Sequence, residues 1–561
     1  LKEIFLKIYE IELILRIYLT AMLYIFVSVL IIFPVLMSFG RLSQKIFGVF
    51  WEGLSAQLVL GILFLMTIWS VLSFFVPLNI DLERITVGCG FLLFFYFQSY
   101  KDFFKIDRKN WLLWGGFSLV SLVVGSGFPF ILDHFGYYVP TIKWLSEYGL
   151  VKGIANLDWV LGQMSPWHVF QAGFSHFSDE FLRINVLLLM IFFLYIIEKK
   201  SWVMLCFSPV LFFFVQSPSP DLPAIVFSLI ILNEILTKNK DFALLFAFSV
   251  LVFSIKPTML WLPILAFLYP ILIFRKGLSF IWLGCLFGVL YCVKNIWTFG
   301  YPFFPIQFLD LGFSWKPYDG LFISSSEVAV LKTFDLQYSL EEISQFSVVE
   351  YFVNWLFLDG IKGVINVGLI LVLLFFGIFS WKQKDKIIGI IFLCILVKSI
   401  FVICFSAQYR FFIDVFFVFF VVVFREFFSK KWCLGIFSGL SVLMVSVLAF
   451  PQILQEKVPS FNLGFVMRNY EAKQVYKPLC YSLNKHDTFM VGNLEFNVPR
   501  DYVFGFDTVL PVLTPHQLEG FYKLGIFPQK TGENLDQGFV WKKLNFHEKK
   551  HLKSIIEKIK K

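Results

Sequence analysis

The sequence predicts an all-α polytopic membrane protein of about fourteen transmembrane helices, with a small mixed α/β C-terminal domain outside the membrane. Of the 561 residues, 58% are hydrophobic and 16% charged, with 75 phenylalanines, which leaves too little polar surface for a water-soluble globule. Apolar runs near the ~20 residues that a helix needs to cross ~30 Å of hydrocarbon recur along most of the chain. Those at Leu54 to Val76, Trp111 to Leu132, Pro257 to Phe274, Val364 to Trp381 and Leu434 to Leu454 contain no charge. Nothing alternates strictly enough for a transmembrane barrel.

Taken in order, the N-terminus lacks a basic segment, a short apolar core and a small-residue cleavage site, so no removable signal is expected and the first span, near Ile17 to Leu36, persists. Three spans in 1–110 precede a module over 111–360, which holds two long loops, 133–180 and 299–359. Some runs, such as Phe242 to Ile255, are short for a full crossing. Further spans fill 361–454, and a soluble tail occupies 455–561. In the tail, Phe489 to Val491, Tyr502 to Phe506 and Gly538 to Trp541 read as strands, and His547 to Lys561 reads as a basic amphipathic helix. Six of the eight cysteines (Cys89, Cys206, Cys285, Cys292, Cys394, Cys404) fall in apolar runs and read as small core residues.

The net charge of +9 comes from the loops and does not call for nucleic acid as a partner. Counted along the chain, the odd-numbered short loops carry seventeen Lys and Arg, whereas the even-numbered ones carry Arg84, Lys256 and Arg410 alone. Positive loops stay inside, so the odd loops are cytoplasmic. Both long loops and the C-terminal domain then lie on the outer face of the cytoplasmic (inner) membrane. The second long loop is acidic, and Lys2 and Lys7 run against the rule.

Candidate chemistry gathers at that outer boundary. Asp133 ends an apolar run and opens the first long loop. Tyr138, Ile142, Leu145 and Tyr148 share one helical face, so Pro140 to Tyr148, which also carries Lys143 and Trp144, can lie as an interfacial helix with its apolar side in lipid. Asp158 follows in the same loop, and SPSPDLP returns Asp221 to the same boundary. Lys256 sits in the tight hairpin SIKPT, and Lys294 lies near the outer end of the next run. Ionisable residues at such depths usually have a partner or a task, although snorkelling accounts for many. Arg410 and Asp414 are four apart and can pair on one helix face. Lys398 lies deep in its span without an evident local partner. His134 shares the first loop with Asp133, but no metal-ligand spacing is present, so a divalent metal ion is an open alternative only. No nucleotide-binding or hydrolase motif occurs in a supporting context.

The order of these parts resembles the GT-C superfamily of membrane glycosyltransferases, which use polyprenyl-phosphate-linked sugars. Asp133 follows the span Trp111 to Leu132, six runs lie between Ile184 and Trp297, and the loop Phe299 to Asp359 comes next. The likeness covers 111–360. More locally, YYVPTIKWLSEYGLVKGIANLD, SPSPDLP, SIKPT, KNIWTFGYPFFP and AQYRFF are similar to motifs of a little-characterised bacterial polytopic family. Many superfamily members carry a pair of acids where this chain has Asp133 and His134, and three spans precede the module.

The resemblance implies inverting transfer of a sugar from a polyprenyl-phosphate donor to a glycan, lipid or protein acceptor. Asp133 would be the base, Asp158 or Asp221 would orient the acceptor or hold a metal, and Lys256, Lys294, Arg410 and Lys398 would meet the lipid phosphate. A transporter or flippase of lipid-linked glycans is the rival expectation, and a noncatalytic membrane assembly component is another.

Overall fold

The computed structural model describes residues 2–304, 309–449, 456, 485–500 and 502–560, with the backbone alone at 2–22 and 449. The start of the predicted tail at Gln455 and the end of the run at Leu454 lie outside the described residues. The described chain is mostly helical. Seven helices are long and apolar enough to cross a membrane: Leu23–Phe47, Leu54–Leu72, Pro257–Phe274, Leu278–Phe299, Ile361–Gln383, Lys386–Phe405 and Lys430–Leu448. The chain is therefore a membrane protein.

Seven is half of the number expected from the sequence, and the physical reason lies in the other runs. Ile184–Lys199 and Asp221–Leu236 are 16 residues each, Phe242–Ile255 is 14 and Ile413–Phe424 is 12. The run between the first two of these forms two short 3₁₀ helices, Trp202–Cys206 and Ser208–Phe214. At ~2.0 Å per residue, the longer of the two rises only roughly 14 Å. Hydropathy registers an apolar run but not its hydrogen-bond pattern.

The shorter helices form the centre. Every residue of Asp221–Leu236 is buried, and so is every residue of Ile184–Lys199 up to Ile197. Side chains enclosed by other helices have no lipid boundary to reach, so length is no longer set by bilayer thickness. The outer helices show the reverse pattern: Ile361–Gln383 exposes Val364, Leu374 and Phe375. Cys89, Cys285 and Cys404 are exposed, which corrects their reading as core residues, whereas Cys206 and Cys394 are buried.

Lipid supplies little drive for apolar helices to associate, so close backbone approach carries more of the packing. The first two long helices meet through glycine: a Cβ on Gly61 would stand 2.0 Å from the Leu36 carbonyl oxygen, and one on Gly40 would stand 1.7 Å from that of Gln57.

Polar contacts sort the connections into two faces. On one, the Glu198 carboxylate accepts the backbone N–H groups of Leu54 and Ser55 at 2.8 and 3.0 Å, which caps the Leu54–Leu72 helix from a different element. Arg41 pairs with Asp102 at 2.5 Å, Asn239 donates to the Phe50 carbonyl and Lys430 lies over Trp202. These are the lysine-bearing loops. On the other face, Leu150 N–H donates to Ser73, Arg183 to Gly125 and Gln216 to Val124. Both long loops lie there.

The C-terminal region is a small domain. β1 (His486–Val491) pairs antiparallel with β2 (Leu494–Pro499), and β3 (Ile526–Lys530) with β4 (Phe539–Lys543), flanked by helices Pro515–Leu524 and Phe546–Ile559. Two predicted strands and the basic helix are present. Tyr502–Phe506 is not a strand; its rings pack on Phe135, with Phe506 at 4.9 Å between centroids. Asn156 joins three segments, since its amide donates to the carbonyls of Gly153, Trp315 and Phe539 at 3.0, 2.7 and 3.2 Å.

Replacing Gly61 by Ala forces the first two long helices apart and should cost about 2 kcal/mol. Gly88→Ala, where a Cβ meets nothing within 4 Å among the described residues, should be neutral or mildly stabilising. Thermal unfolding in one detergent checks the contrast, and equal midpoints would remove the close approach from the packing argument.

Candidate functional site

The first long loop begins with a device that hydropathy does not reveal. Directly after Asp133, residues His134–Tyr138 form a single π-helical turn that runs into the helix Val139–Tyr148. A π turn re-aims the side chains it carries and is frequent at functional sites. Here it turns Tyr137 and Tyr138 inward, with Tyr137 Oη donating to the Gln163 carbonyl at 2.7 Å.

The predicted helix is present at nearly the predicted bounds, but it does not lie in lipid. Ile142, Trp144 and Leu145 are buried, Lys143 Nζ donates to the Thr508 carbonyl at 2.9 Å, and the Trp144 ring meets Phe539 edge-on. The C-terminal domain covers the face that sequence periodicity leaves for water, while the apolar face packs on protein. Periodicity identifies an apolar face without identifying what covers it.

Beside the π turn is a cavity of about 510 Å³. Asp133, Asp221, Lys256, Lys294 and Arg410 all line it, although they are scattered over nearly 280 residues of chain. Asp133 meets Arg410 at 2.6 Å, and Asp221 meets Lys256 in a second ion pair. Lys294 has no carboxylate partner among the described residues; it donates to the Gly162 carbonyl and to Asn295 Oδ1, at 3.0 and 2.9 Å. Lys332, from the helix Asp319–Thr333 of the second long loop, adds another cation. Four basic side chains against two carboxylates make the cavity suited to an anion.

The short motifs explain how these groups are held. In SPSPDLP, Ser219 shares hydrogen bonds with Asp221, while the Ser217 and Ser219 carbonyls accept from buried Asn185. In KNIWTFGYPFFP, Asn295 donates to the Pro302 carbonyl and Trp297 to Leu150. In AQYRFF, the Phe411 carbonyl accepts from Lys398 at 2.7 Å, anchoring the turn that presents Arg410.

Electrostatics follow the enclosure. Burial opposes the charge of Arg410, but Asp133 and Asp221 outweigh it and hold the guanidinium above its ordinary range. Burial raises the phenols of Tyr137 and Tyr138, and Asp133 and Asp221 push them further, so both keep their protons. His168 stacks near both tyrosines and is lowered to about 3 by burial and then by Lys294. It is neutral: Nδ1 accepts from Ser165 N–H, while Nε2 is buried without a partner among the described residues.

Three expectations are revised. Arg410 does not pair with Asp414. Asp414 instead meets Lys398, both almost wholly buried, and also accepts from Trp261 at 2.9 Å. Lys398 therefore has a carboxylate partner within the bundle, one helix away and invisible to local spacing, and it does not line the cavity. Asp158 does not line it either; its carboxylate accepts from Val160 N–H at 2.9 Å, and neighbouring Trp159 reaches the cavity instead. His134 is buried against Phe135, and burial, then Arg183, lowers its pKa. No group of three or more His, Cys, Asp or Glu side chains among the described residues is arranged to hold a metal ion.

Sequence reasoning missed Tyr137, Tyr291, Gln408 and the Asp319–Thr333 helix as lining elements. The tyrosine pair after Asp133 was the signal available for the first. The family described as a domain of unknown function (DUF8201) matches residues 22–417, more than two thirds of the chain, and the chain belongs to that family. No curated protein matches it, and no solved structure does.

Removing one member of the deep pair strands a buried charge, so Lys398→Met should cost about 3 to 5 kcal/mol, while adding Asp414→Leu should recover part of the loss. Unfolding of both variants tests this, and an additive double variant would refute the coupling. Asp158 gives a pH signature. Burial raises its carboxyl from 3.8 to about 6, so the folded protein holds this proton more tightly than the unfolded chain does. Its contribution to stability is full below 3.8 and falls as the pH rises through about 6. Asp158→Asn should therefore raise the melting temperature at pH 8 and leave it unchanged near pH 4. A shift of equal size at both values would disprove the assignment.

Proposed function

We propose that this member of the DUF8201 family is an inverting membrane glycosyltransferase of GT-C type. It moves a sugar from a polyprenyl-phosphate donor to a glycan, lipid or protein acceptor at the outer face of the cytoplasmic membrane. The observation that carries the reading is the charge balance of the cavity, where two carboxylates are held in ion pairs and Lys294 faces the space with no carboxylate of its own among the described residues.

The step follows from that balance. The acceptor hydroxyl oxygen attacks the anomeric carbon on the side opposite the phosphate, and its proton passes to Asp133. The bond from the anomeric carbon to the phosphate oxygen breaks, and the electron pair leaves with polyprenyl phosphate. The sugar passes through an oxocarbenium-like state, while the leaving phosphate gains a second negative charge. Lys294, Lys256 and Arg410 meet that charge, Arg410 with its planar fork and the lysines as point charges. In the resting site Arg410 holds Asp133 in an ion pair, so the carboxylate is engaged before a substrate enters. A donor phosphate competes for Arg410 and frees Asp133 when a substrate is in place. Asp221, which lines the same cavity, orients the acceptor.

The sidedness has its own support. The cavity lies at the face opposite the lysine-bearing loops, which the positive-inside rule assigns to the cytoplasm. Seven helices are long and apolar enough to cross, and about fourteen crossings require the shorter helices and the 3₁₀ segments to cross as well. Charges gathered at one end fit transfer better than alternating access, for which a midplane site is the usual arrangement.

Purified protein given polyprenyl-phosphate sugars and candidate acceptors should release polyprenyl phosphate and form a new glycoside. Asp133→Asn should slow this by about 10²- to 10⁴-fold with donor binding retained. Near-normal turnover in that variant would exclude Asp133 as the base. Vesicles that move the lipid without forming a bond would replace transfer by transport.

A further inference from the structure

A second, almost wholly apolar groove of about 390 Å³ runs between the helix Leu54–Leu72 and the helices Phe242–Ile255 and Trp282–Phe299. Between the groove and the cavity is a neck of about 30 Å³. Leu251, Phe287 and Leu290 line both groove and neck, while Ser254, Tyr291 and Lys294 line both neck and cavity. The three spaces therefore lie end to end in one row.

Its floor is a single helical stripe. Trp282, Leu286, Leu290 and Lys294 recur every four residues and share a face of one helix. From Trp282 to Lys294 the rise is roughly 18 Å, more than half of the ~30 Å hydrocarbon thickness. The stripe is apolar until its last member, which is the cation without a carboxylate partner among the described residues. Trp282 and Leu286 are exposed near the far end and Ile68 and Val71 near the cavity end, so the groove opens sideways to the bilayer along its length.

We propose that this path binds one long hydrocarbon chain whose phosphate rests at Lys294, with the chain entering from the lipid past Trp282 and passing through the neck. The chemistry at each end argues for that occupant. An anion fits the upper end, where cations outnumber carboxylates; hydrocarbon fits the groove, which offers almost no polar partner. At about 30 Å³ the neck offers too little space for a helix with side chains or for two hydrocarbon chains side by side. The assignment deepens the transfer reading, on which the identity of its headgroup rests, by saying where the donor's chain lies.

Binding to the full-length protein in detergent, followed by native mass spectrometry, tests it with three probes: a long-chain polyprenyl phosphate, an analogue cut short after two isoprene units, and phosphatidic acid. Leu290→Trp fills the neck. Val289→Trp, at an exposed neighbour outside the path, is the control. Leu290→Trp should weaken the long-chain phosphate by about tenfold or more while the short analogue changes by less than about twofold. Val289→Trp should change neither. Should Leu290→Trp fail to fold, Thr67→Trp narrows the groove from the opposite wall and carries the same expectation.

Unaltered long-chain binding in folded Leu290→Trp or Thr67→Trp would overturn the proposal. So would phosphatidic acid bound as tightly as the single-chain lipid. A parallel transfer assay separates the two readings: binding through the groove without any glycoside keeps the path and removes transfer, whereas undiminished transfer by Leu290→Trp keeps transfer and removes the path.

Discussion

A charge inside hydrocarbon must find an opposite charge, a hydrogen-bond partner or a route to water, and this constraint organises the bundle. Lys398 and Asp414 satisfy it deep in the interior by facing each other from adjacent helices. Asp133 and Arg410 satisfy it at the rim, although 277 residues separate them. That second pair ties the module read from the sequence to the helices that follow it. The site is therefore built from both parts of the chain. The same constraint makes Lys294 informative, because it remains at a cavity wall with only neutral partners among the described residues.

The second long loop and the C-terminal domain act on the site through backbone contacts more than through charge. Asn156 gathers three carbonyls, and Phe539 N–H returns a bond to the Lys152 carbonyl. Trp541 donates to Lys316, so the same strand also holds the second loop. With the Phe135 and Phe506 rings locked edge to face beside the π turn, the orientation of Tyr137 and Tyr138 depends on a domain remote in sequence.

Much of this architecture is legible in the amino-acid sequence. Composition and apolar runs are properties of short segments, so the membrane class and most helix positions follow from them; Pro140 at the start and Gly149 after the end mark the Val139–Tyr148 helix closely. The carboxylates and cations at the ends of the runs are legible too, since their depth in the runs can be counted along the chain. Partner choice is not. The i, i+4 rule suggests Arg410 with Asp414, whereas tertiary packing gives each a remote partner. Coverage is equally hidden: the same amphipathic pattern serves a helix lying on lipid and one clamped beneath a domain. Long apolar helices are fewer than apolar runs because a 3₁₀ segment and a helix of 12 residues read much like full spans.

The 3₁₀ run Trp202–Phe214 carries a consequence for how the fold tolerates change in length. With about three residues per turn, adding or removing one residue rotates everything after it by roughly 120°. What comes next is SPSPDLP and the wholly buried helix that begins at Asp221. A one-residue slip would therefore swing the carboxylate away from Lys256 and turn a different face of the central helix toward each neighbour. The six residues from Val215 to Pro220 are all that can take up such a rotation before the helix begins, so the length of this segment bears directly on the site.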